Sequence, residues 1–481
     1  MISLNQQQIK DKIYACWIGK NIGGTIGTPY EGSTEFRDVK GFASEKGEPL
    51  PNDDLDLQLV FLTAMEQQGP AGLSAAVLAE YWINYITPHW NEYGTGKSNL
   101  KAGILPPLSG ELYNDTWKNS NGAWIRSEIW ACTAPGFPQI AAQYAFMDAC
   151  IDHGMSEGTY AEIFTTYLES YAFFGTDIRD MIERALEALP ADCRTYQSIR
   201  LAIDSFDKGL TLREAREAIV EANKDMGWFQ APGNVAFVVL GLLYGKGDFK
   251  QSVLSAVNCG DDTDCTGATV GAFLGILYGT AGIPEDWREY IGDKINSIAV
   301  DASYRSLPKT CAELTKRTMA MIPSVLKAHY LDFTWTDGSS DINAVGWEDY
   351  YLERIPSPFQ NRTKYCYDVP MPPHLKATVC FDREPIVKPF EEITAKIVFK
   401  NEFPDPRHGL VTLHLPEGFE GVSYDHHIFL MHECPRHTDG VTTWSVTLKA
   451  GEQVQPMNRV IAEINFPGRP MPALIPINII G

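Results

Sequence analysis

The chain has 481 residues, of which 44% are hydrophobic and 21% are charged, the composition of an ordinary globular protein rather than a disordered or fibrous one. Its formal net charge of -21 argues against nucleic acids and anionic membranes as partners, because proteins bind both largely through Lys and Arg. The first residues contain no basic segment followed by an apolar one, so we expect no signal peptide and a cytoplasmic location.

The cysteines and the most apolar stretches are also typical of a globular protein. Ten cysteines show neither CxxC spacing nor dense clustering, so we expect them to be reduced and mostly buried. The two most apolar stretches, 235–245 and 267–283, are interrupted by glycine. They are too short, or too closely flanked by acidic residues, to cross a bilayer comfortably, and we predict that both are core helices.

The first helix is predicted to end in a glycine-rich loop. Apolar residues recur at helical spacing from residue 5 to residue 19. The next stretch, GKNIGGTIGTPYEG, is rich in glycine, which favours a loop. Glu31 falls in this loop, where a solvated acid is the simplest interpretation.

The second predicted helix has an acidic start. Asn52, Asp53 and Asp54 precede an apolar run at helical spacing that ends at a Gly-Pro pair. Because Asp is favoured near helix N-termini, capping alone would account for these acids. A further helix is predicted over 75–86.

Residues 87–110 are predicted to form an ordered loop. The segment carries Trp90 among polar residues and prolines, and a loop of this length is either a binding element or a compact surface loop. A turn and an apolar run follow over 120–138. Arg126 in this run is either an ion-pair partner or a ligand contact.

The remainder of the chain changes from helices to strands. Helical patterns with short connections fill 140–294 and 312–331, as in a compact all-α domain. From residue 373 strand-length segments alternate with turn residues, which indicates a β-sandwich. We therefore predict a helical catalytic domain over 1–332, an aromatic and Pro-rich connecting segment over 333–368 and a β-sandwich accessory domain over 369–481.

A second acidic helix start lies far from the first along the chain. The stretch CGDDTDCTGATVGAFLGILYG, residues 259–279, places Asp261, Asp262 and Asp264 before a Gly-rich apolar helix. Capping explains each acidic start taken singly. Hard divalent cations take oxygen ligands, however, so two carboxylate-rich helix starts in one chain favour a shared metal ion.

Five motifs make the chain similar to a known family. GGTIGTPYE, NDDLDLQLVFL, NGAWIR, IDHG and GDDTDCTGATVGAFLGILYG occur in this order between about residues 13 and 294. Together they resemble the ADP-ribosylglycohydrolase superfamily, which includes the dinitrogenase reductase-activating glycohydrolase, ADP-ribosylarginine hydrolases and the J1 crystallins. The resemblance implies a mainly α fold, an orthogonal all-α helical bundle around a dinuclear Mg²⁺ or Mn²⁺ centre. The C-terminal β-sandwich lies outside it.

The resemblance also implies a set of site residues. The metal ligands would be Asn52, Asp53, Asp54, Asp262, Asp264 and Cys265. The catalytic residues would be Glu31, Asp54 and Asp264, and the substrate-binding residues would be Ser120, Asn121, Gly122 and His153, to which the sequence itself adds Trp90 and Arg126. For His153 the alternative is a helix-end histidine that suits the helix dipole.

Three residues depart from the family pattern. Asn52 and Cys265 stand where the family has threonine, and Gly24 stands where an acid is common. Asn52 keeps an oxygen ligand, whereas the soft sulfur of Cys265 suits Mg²⁺ poorly, so one metal position is expected to be weakened. We expect one or two ions, with Mg²⁺ first and Mn²⁺ or Ca²⁺ as alternatives.

These residues predict a metal-dependent glycosidase in which a metal-activated water attacks the anomeric carbon. The substrate would be an ADP-ribosyl or related ribosyl or furanosyl group on a small molecule or a protein, with Lys97, Lys101 and Arg126 as candidate cations for a pyrophosphate. A carbohydrate other than ADP-ribose is the alternative, favoured by the aromatic loop at Trp90 and the appended sandwich. A non-catalytic crystallin-like or sugar-binding protein is the second alternative. The sequence predicts no particular oligomeric state.

Overall fold

Helices form the N-terminal part of the chain and strands form the C-terminal part. The computed structural model describes residues 2–301, 303, 307–342, 357–359, 362–372, 374–434 and 437–481. Within these residues the last α-helix ends at Ala328, and the two large sheets begin at Cys366. The predicted fold class, a mainly α helical bundle followed by a β-sandwich, is confirmed.

The helices pack around one large apolar core. In chain order they are α1 (Gln6–Gly27), α2 (Asp53–Gln68), α3 (Ala75–Tyr85), α4 (Asn91–Lys101), α5 (Leu108–Glu111), α6 (Glu128–Thr133), α7 (Pro138–His153), α8 (Glu157–Ala172), α9 (Ile178–Leu186), α10 (Arg194–Asp207), α11 (Leu212–Ala222), α12 (Ala231–Gly245), α13 (Phe249–Asn258), α14 (Thr263–Tyr278), α15 (Glu285–Ile291) and α16 (Cys311–Ala328). None of these described helices is long and apolar enough to cross a membrane.

The two ends of the helical part are joined by a short sheet. β1 (Ile2–Asn5) pairs in parallel with β2 (Phe333–Thr336), and the Asn5 backbone N–H donates to Ser340 Oγ at 2.8 Å. The start of the predicted connecting segment therefore packs on the helical domain. Residues 343–356 and 360–361 of that segment lie outside the described residues.

The C-terminal part is a sandwich of two antiparallel sheets. Its strands are β3 (Cys366–Val369), β4 (Leu375–Phe381), β5 (Glu392–Asn401), β6 (Arg407–His414), β7 (Glu420–Tyr424), β8 (His427–Leu430), β9 (Glu433–Cys434), β10 (Thr438–Asp439), β11 (Val441–Lys449), β12 (Met457–Asn465) and β13 (Ala473–Ile480). One sheet has the strand order β3-β4-β5-β11-β7 and the other has β13-β12-β6-β8. Alternate residues, such as Ile397 and Ile475, are buried in the core between them.

Helix α1 continues through the stretch that was predicted to be a glycine-rich loop. It ends at Gly27 rather than near residue 19. The loop prediction is wrong because these glycines serve packing. A Cβ on Gly23 would lie 1.9 Å from the Gly267 carbonyl oxygen, and a Cβ on Gly19 would lie 2.1 Å from the Gly271 carbonyl oxygen. α1 and α14 are therefore in backbone contact, which only glycine permits.

The contact between α1 and α14 is antiparallel, and it fixes where their ends lie. A Cβ on Gly275 would lie 2.2 Å from the Ala15 carbonyl oxygen, and at the other end a Cβ on Gly27 would lie 2.2 Å from that of Thr263. Thr263 Oγ1 also donates to the Gly27 carbonyl at 2.8 Å. The C-terminus of α1, which leads to Glu31, thus meets the acidic start of α14.

The predicted loop at 87–110 contains the helices α4 and α5, so this prediction is wrong in part. The buried side chains of α4 are mostly polar and include Glu92, Lys97 and Asn99. These polar side chains can be buried because other parts of the protein supply hydrogen-bond partners. Asn99 Nδ2, for example, donates to two backbone carbonyls of the following segment at 2.7 Å each. Hydrophobic periodicity cannot detect a helix of this kind.

The sandwich docks on the segment between α4 and α5. Asn478 Nδ2 of β13 donates to the Gly103 carbonyl at 3.1 Å. Lys364 Nζ lies 3.0 Å from Glu111 Oε1. An apolar cluster spans the same junction: Ile104, Leu108, Leu112 and Ile480. The segment that follows α4 is therefore in contact with both domains.

The expectation that every cysteine is reduced is wrong for one pair. Cys366 and Cys380 are direct partners on the antiparallel strands β3 and β4 and form a disulfide. Strand pairing brings them together, which sequence spacing did not indicate. The other eight cysteines are free, and seven of them are buried. Disulfides are commoner in oxidising compartments, and the cytoplasmic location stays a prediction.

The substitution Gly271→Ala is expected to lower the free energy of unfolding by about 3 kcal/mol, because the added methyl group would overlap the Gly19 carbonyl and force α1 and α14 apart. Gly233→Ala in α12 is the matched control, since a Cβ there meets nothing within 4 Å and alanine favours a helix. Denaturant unfolding followed by circular dichroism measures both. Equal midpoints for the two variants would contradict the packing role.

Candidate active site

The two acidic helix starts meet in the folded chain, and Asn52 connects them. Asn52 caps α2 because its Oδ1 accepts a hydrogen bond from the Asp54 backbone N–H at 2.7 Å. Its Nδ2 donates to Asp264 Oδ2 in α14 at 3.2 Å. Gly24 leaves room for this amide, since a Cβ there would lie 2.9 Å from Asn52 Nδ2. Gly24 and Asn52, two of the residues that depart from the family pattern, therefore lie next to each other.

Two groups of potential ligand atoms lie at this meeting point. One consists of Asp54, Asp264 and Cys265, and the other of Glu31, Asp262 and Asp264. Within each group, one ligand atom of every residue lies within 4.8 Å of the others. Asp264 belongs to both groups. The structure thus brings together residues from three distant parts of the chain.

The carboxylates of both groups retain oxygens without hydrogen-bond partners. Asp54 Oδ2, Asp262 Oδ1 and Asp264 Oδ1 are buried and accept no hydrogen bond from any described residue. Burying such an oxygen without a partner costs free energy. A hard divalent cation is a partner that several converging carboxylate oxygens suit, so the residues present fit one.

The two groups differ in their suitability for that cation. In the first group Cys265 Sγ lies 3.4 Å from Asp54 Oδ1, and Lys20 Nζ lies 3.9 Å from Asp54 Oδ2. A thiol is a poor ligand for Mg²⁺, and the ammonium group of Lys20 already offsets the charge of Asp54. The group with Glu31 offers carboxylates alone and therefore fits a hard cation better.

Lys20 is a buried cation beside the acidic helix starts. Its Nζ lies 2.6 Å from Glu128 Oε1, and both side chains are buried. Burial alone would lower the pKa of Lys20, but Glu128 and then Asp54 raise it above its usual range. Lys20 therefore stays charged and opposes the effect of burial on Asp54, although burial still raises the pKa of Asp54 well above its usual range.

The acids of the site raise one another's pKa values. Burial, and then the charge of Asp264, raises the pKa of Asp53 and that of Asp262. For Glu31 the charge of Asp264 is the larger cause and burial the next, and the pKa of Glu31 rises to about 7. The carboxylates therefore repel one another, a repulsion that a bound cation would relieve.

Two further acids of the helix starts are held by protein donors. The Tyr93 hydroxyl in α4 donates to Asp53 Oδ2 at 2.8 Å. Asp261, with a φ of +66°, accepts from the Phe229 backbone N–H and from Asn234 Nδ2 at 2.9 Å each. Asp261 thus fixes the loop before α14, whereas Asp262 and Asp264 face the ligand groups.

The turn that contains Gly122 contacts the carboxylates. Asn121 Nδ2 donates to Asp262 Oδ2 at 2.7 Å. On the other side of the turn, Ser120 Oγ lies 3.3 Å from His153 Nε2. The predicted substrate-contacting turn therefore lies between the predicted metal ligand Asp262 and His153.

His153 is fully buried at the end of α7 and is oriented through its second ring nitrogen. Nδ1 lies 2.9 Å from Asp152 Oδ1, and Arg126 Nη2 donates to the same oxygen at 2.7 Å. Burial would raise the pKa of Asp152, but Arg126 and His153 lower it below its usual range. Asp152 therefore stays ionised and directs Nε2 of His153 towards Ser120.

For Arg126 the geometry favours the first of the two expected roles, that of an ion-pair partner. Its side chain is 0% exposed, pairs with Asp148 and Asp152 and lies 4.6 Å from the Trp82 ring centre. A guanidinium enclosed in this way holds α7 in place. Lys97 is also buried, and its ammonium donates to two backbone carbonyls.

Helix α4 begins directly after the predicted substrate-binding residue Trp90 and carries two further residues of the site, Glu92 and Tyr93, that the sequence did not single out. Trp90, at its N-cap, is 46% exposed, and its ring centre lies 6.3 Å from that of Tyr93. Glu92 and Tyr93 follow directly, and both are buried. An acid next to two aromatic residues in the stretch HWNEYG was the pattern that could have pointed to them.

Comparison with known proteins agrees with the resemblance in the sequence. A family model described as ADP-ribosylglycohydrolase matches residues 5–316. The ADP-ribosylarginine hydrolase Tri1 of Pseudomonas putida (strain GB-1) is 30% identical over 106 residues, which cover 19% of this chain and 29% of that protein. The chain thus matches less than a third of the length of this curated relative.

Two solved structures are similar at low identity. One, an ADP-ribosylglycohydrolase-related protein complex, is 18% identical with a TM-score of 0.46, covering 67% of this chain and 99% of that chain. The other, a FixG-related protein from Vibrio parahaemolyticus, is 10% identical with a TM-score of 0.18, covering 22% of this chain and 95% of that chain. Neither likeness is strong enough to indicate function.

Addition of Mg²⁺ or Mn²⁺ to metal-free protein is expected to raise its melting temperature. An ion bound only by the folded carboxylates stabilises the folded state, by about 2.7 kcal/mol at a hundred times its dissociation constant. Asp262→Asn is expected to remove most of the shift, and Asp192→Asn, at an exposed position, to keep it. Scanning fluorimetry during a metal titration tests this, and an undiminished shift in Asp262→Asn would contradict the site.

The substitution Cys265→Ser is expected to raise the affinity for Mg²⁺ by about tenfold and to lower the affinity for Cd²⁺, because a hard oxygen replaces a soft sulfur. Isothermal titration calorimetry with each ion measures both changes. Cys150→Ser, at a buried thiol outside both ligand groups, should change neither affinity. Unchanged affinities in Cys265→Ser would show that the thiol does not face the ion.

Proposed function

The chain belongs to the ADP-ribosylglycohydrolase family, and we propose that it hydrolyses a glycosidic bond with the help of a divalent cation, Mg²⁺ first and Mn²⁺ or Ca²⁺ as alternatives. The observation that carries this proposal is the convergence of the α2 and α14 carboxylates, three of which keep a buried oxygen that accepts no hydrogen bond from the described residues. A cluster of this kind is unfavourable in a purely structural role.

The ion would be held chiefly by Asp262 and Asp264 at the start of α14. Asp53 and Asp54 face them from α2, Asn52 positions Asp264 through its amide, and Cys265 lies beside Asp54. When bound, such an ion polarises an oxygen ligand and lowers the pKa of a bound water.

Glu31 is proposed as the group that exchanges a proton with the attacking water or the leaving group. It is the exposed member of its ligand group, whereas Asp262 and Asp264 are buried, so it lies where solvent and substrate arrive. The buried acids would stabilise the positive charge that develops on the sugar ring as the glycosidic bond breaks. Tyr93 holds Asp53 in place for this role.

The glycosyl group would lie against the turn of Ser120, Asn121 and Gly122, with His153 behind it and Trp90 at the open side. The printed name of the relative from Pseudomonas putida, an ADP-ribosylarginine hydrolase, supports an ADP-ribosyl or related ribosyl substrate on a small molecule or a protein. The exposed Trp90 supports a carbohydrate other than ADP-ribose, because sugars commonly pack on aromatic rings.

A non-catalytic, crystallin-like or sugar-binding protein is the remaining alternative. It does not account for the convergence of Glu31, Asp262 and Asp264, since carboxylates that repel one another are unfavourable unless a cation binds between them. The departures at Asn52 and Cys265 leave all four aspartates of the two helix starts in place.

The substitution Asp264→Asn is expected to lower kcat/KM for the cleaved glycoside by about a thousandfold or more and to change the melting temperature of metal-free protein very little. Asp264 belongs to both ligand groups, so its loss weakens each of them. Initial rates with and without a chelator, beside melting curves, measure both effects. The exposed Asp192→Asn is the control, and full activity of Asp264→Asn would rule out the metal mechanism.

A further inference from the structure

Asp261 is the acid of the α14 start that belongs to neither ligand group. It is buried, and its carboxylate accepts hydrogen bonds from the Phe229 backbone N–H, just before α12, and from Asn234 Nδ2 in α12. A capping side chain would instead accept from the first turn of α14. The carboxylate of Asp261 therefore holds a different segment, and helix capping does not explain it.

The backbone of Asp261 pairs with the loop that carries Glu31. The Asp261 N–H donates to the Ser33 carbonyl at 2.6 Å, and the Asp261 carbonyl accepts from the Gly32 N–H at 2.9 Å. Ser33 and Asp261 thereby form an isolated antiparallel β-bridge. Gly32 directly follows Glu31 in sequence, so the pairing begins one residue after the proposed proton-exchanging acid.

Asp261 adopts an unusual backbone conformation where it forms this bridge. Its φ of +66° lies in the left-handed region, which is unfavourable for a residue with a Cβ and is adopted most readily by glycine. The preceding Gly260 also has a positive φ, and a Cβ there would lie 2.5 Å from the Ser33 carbonyl oxygen. The two side-chain hydrogen bonds of Asp261 offset the unfavourable conformation and fix it.

The segment held by the Asp261 carboxylate also contacts the predicted substrate-contacting turn. The Phe229 N–H donates to Asp261 Oδ1 at 2.9 Å, and the next residue, Gln230, forms an isolated antiparallel bridge with Ser120. The side chain of Asp261 is thus bonded to one part of the site and its backbone to another. It connects the loop of Glu31 with the turn at Ser120.

Glu31 has a structural need for this connection. It is exposed and lies in a turn outside the helices. One ligand atom of Glu31 nevertheless lies within 4.8 Å of those of Asp262 and Asp264, whose charges repel it. An exposed acid on an unsupported loop would move away from these charges, so the backbone beside Glu31 has to be fixed.

We propose that Asp261 is a positioning residue which, through its bridge to Ser33 and its hydrogen bond from Phe229, holds Glu31 beside Asp262 and Asp264. This inference rests on the proposed glycosidase function and deepens the role that Glu31 has in it. A group that exchanges a proton acts only within hydrogen-bond reach of the reacting atoms. A displacement of about 1 Å can lower the rate by about a hundredfold, so Asp261 affects the rate without touching substrate.

The test is a double-mutant cycle of Asp261 and Glu31 in the full-length, Mg²⁺-loaded protein. Asp261→Gly removes the carboxylate but suits the positive φ, so the variant should fold. It is expected to lower kcat by about tenfold to a hundredfold and to change KM by less than about threefold. In a Glu31→Gln background the same substitution should lower kcat by less than about threefold, because Asp261 acts through Glu31. ADP-ribosylarginine and a p-nitrophenyl furanoside are the two substrates, and the one cleaved faster is used.

Three controls separate positioning from folding and from metal binding. Asp261→Asn keeps an oxygen for the Phe229 N–H and tolerates a positive φ, so its kcat should exceed that of Asp261→Gly by at least about fivefold. Asp192→Gly, at an exposed position, should leave kcat unchanged. Asp261→Gly should keep the Mg²⁺-induced rise in melting temperature, because Asp261 belongs to neither ligand group. Loss of that rise together with activity would show that Asp261 acts on the metal ligands and would contradict the inference.

Hydrogen exchange tests the connection without relying on activity. Mass spectrometry of the peptide over residues 28–36 should show amide exchange at least about tenfold faster in Asp261→Gly than in the wild-type protein.

Two results would overturn the inference and leave the glycosidase function intact. One is unchanged exchange in Asp261→Gly, and the other is an equal fall in kcat in the wild-type and Glu31→Gln backgrounds. Cleavage of neither substrate by the wild-type protein would contradict the glycosidase function itself, and the role of Asp261 in catalysis with it.

Discussion

The backbone contact between α1 and α14 is the constraint on which the rest of the candidate site depends. Glycines at every fourth position of both helices leave no side chain between them, so carbonyl groups of one helix face the α-carbons of the other. Because the pair is antiparallel, the end of α1 and the start of α14 are held side by side. Glu31 is thereby brought to Asp262 and Asp264, although more than two hundred residues separate Glu31 from these two aspartates in sequence.

A second constraint is electrostatic. The acids gathered at this point raise one another's pKa values, and the protein offsets only part of their charge. Lys20 and Glu128 form a buried pair beside Asp54, while one oxygen each of Asp54, Asp262 and Asp264 accepts no hydrogen bond from the described residues. Apolar contacts and close helix packing at the glycines stabilise the fold. This stability compensates for a group of charges that is unfavourable by itself.

The sequence predicted the helices and strands with strong apolar periodicity, and it failed where other forces decide. α2 spans Asp53–Gln68, as its acidic start and apolar spacing indicated, and strands fill the region after residue 373 in which strand-length segments were predicted. α1 was cut short because glycine was interpreted as a helix breaker, whereas here it permits close packing. α4 was missed because its inward residues are polar. Periodicity reports burial of apolar residues and does not report hydrogen-bond partners supplied by distant segments.

The same distinction applies to the site residues. The acidic helix starts were found because carboxylates at a helix N-terminus are readily recognised in sequence. The role of Arg126 was left open and Glu92 was not singled out, because only the partners of a buried charged side chain show what it does. Arg126 has two carboxylates and an aromatic ring around it, whereas Glu92 keeps an oxygen without a partner.

The docking of the sandwich beside α5 bears on how independent the two domains are. Ile104, Leu108 and Leu112 are each less than 10% exposed in the intact chain, and they share a cluster with Ile480 near the C-terminus. A chain shortened after the helices would present this apolar surface to water and would release the Gly103 carbonyl from Asn478. The sandwich thus stabilises the segment that directly follows α4, and substitutions in its last strand can therefore act at a distance on the helix that carries Glu92.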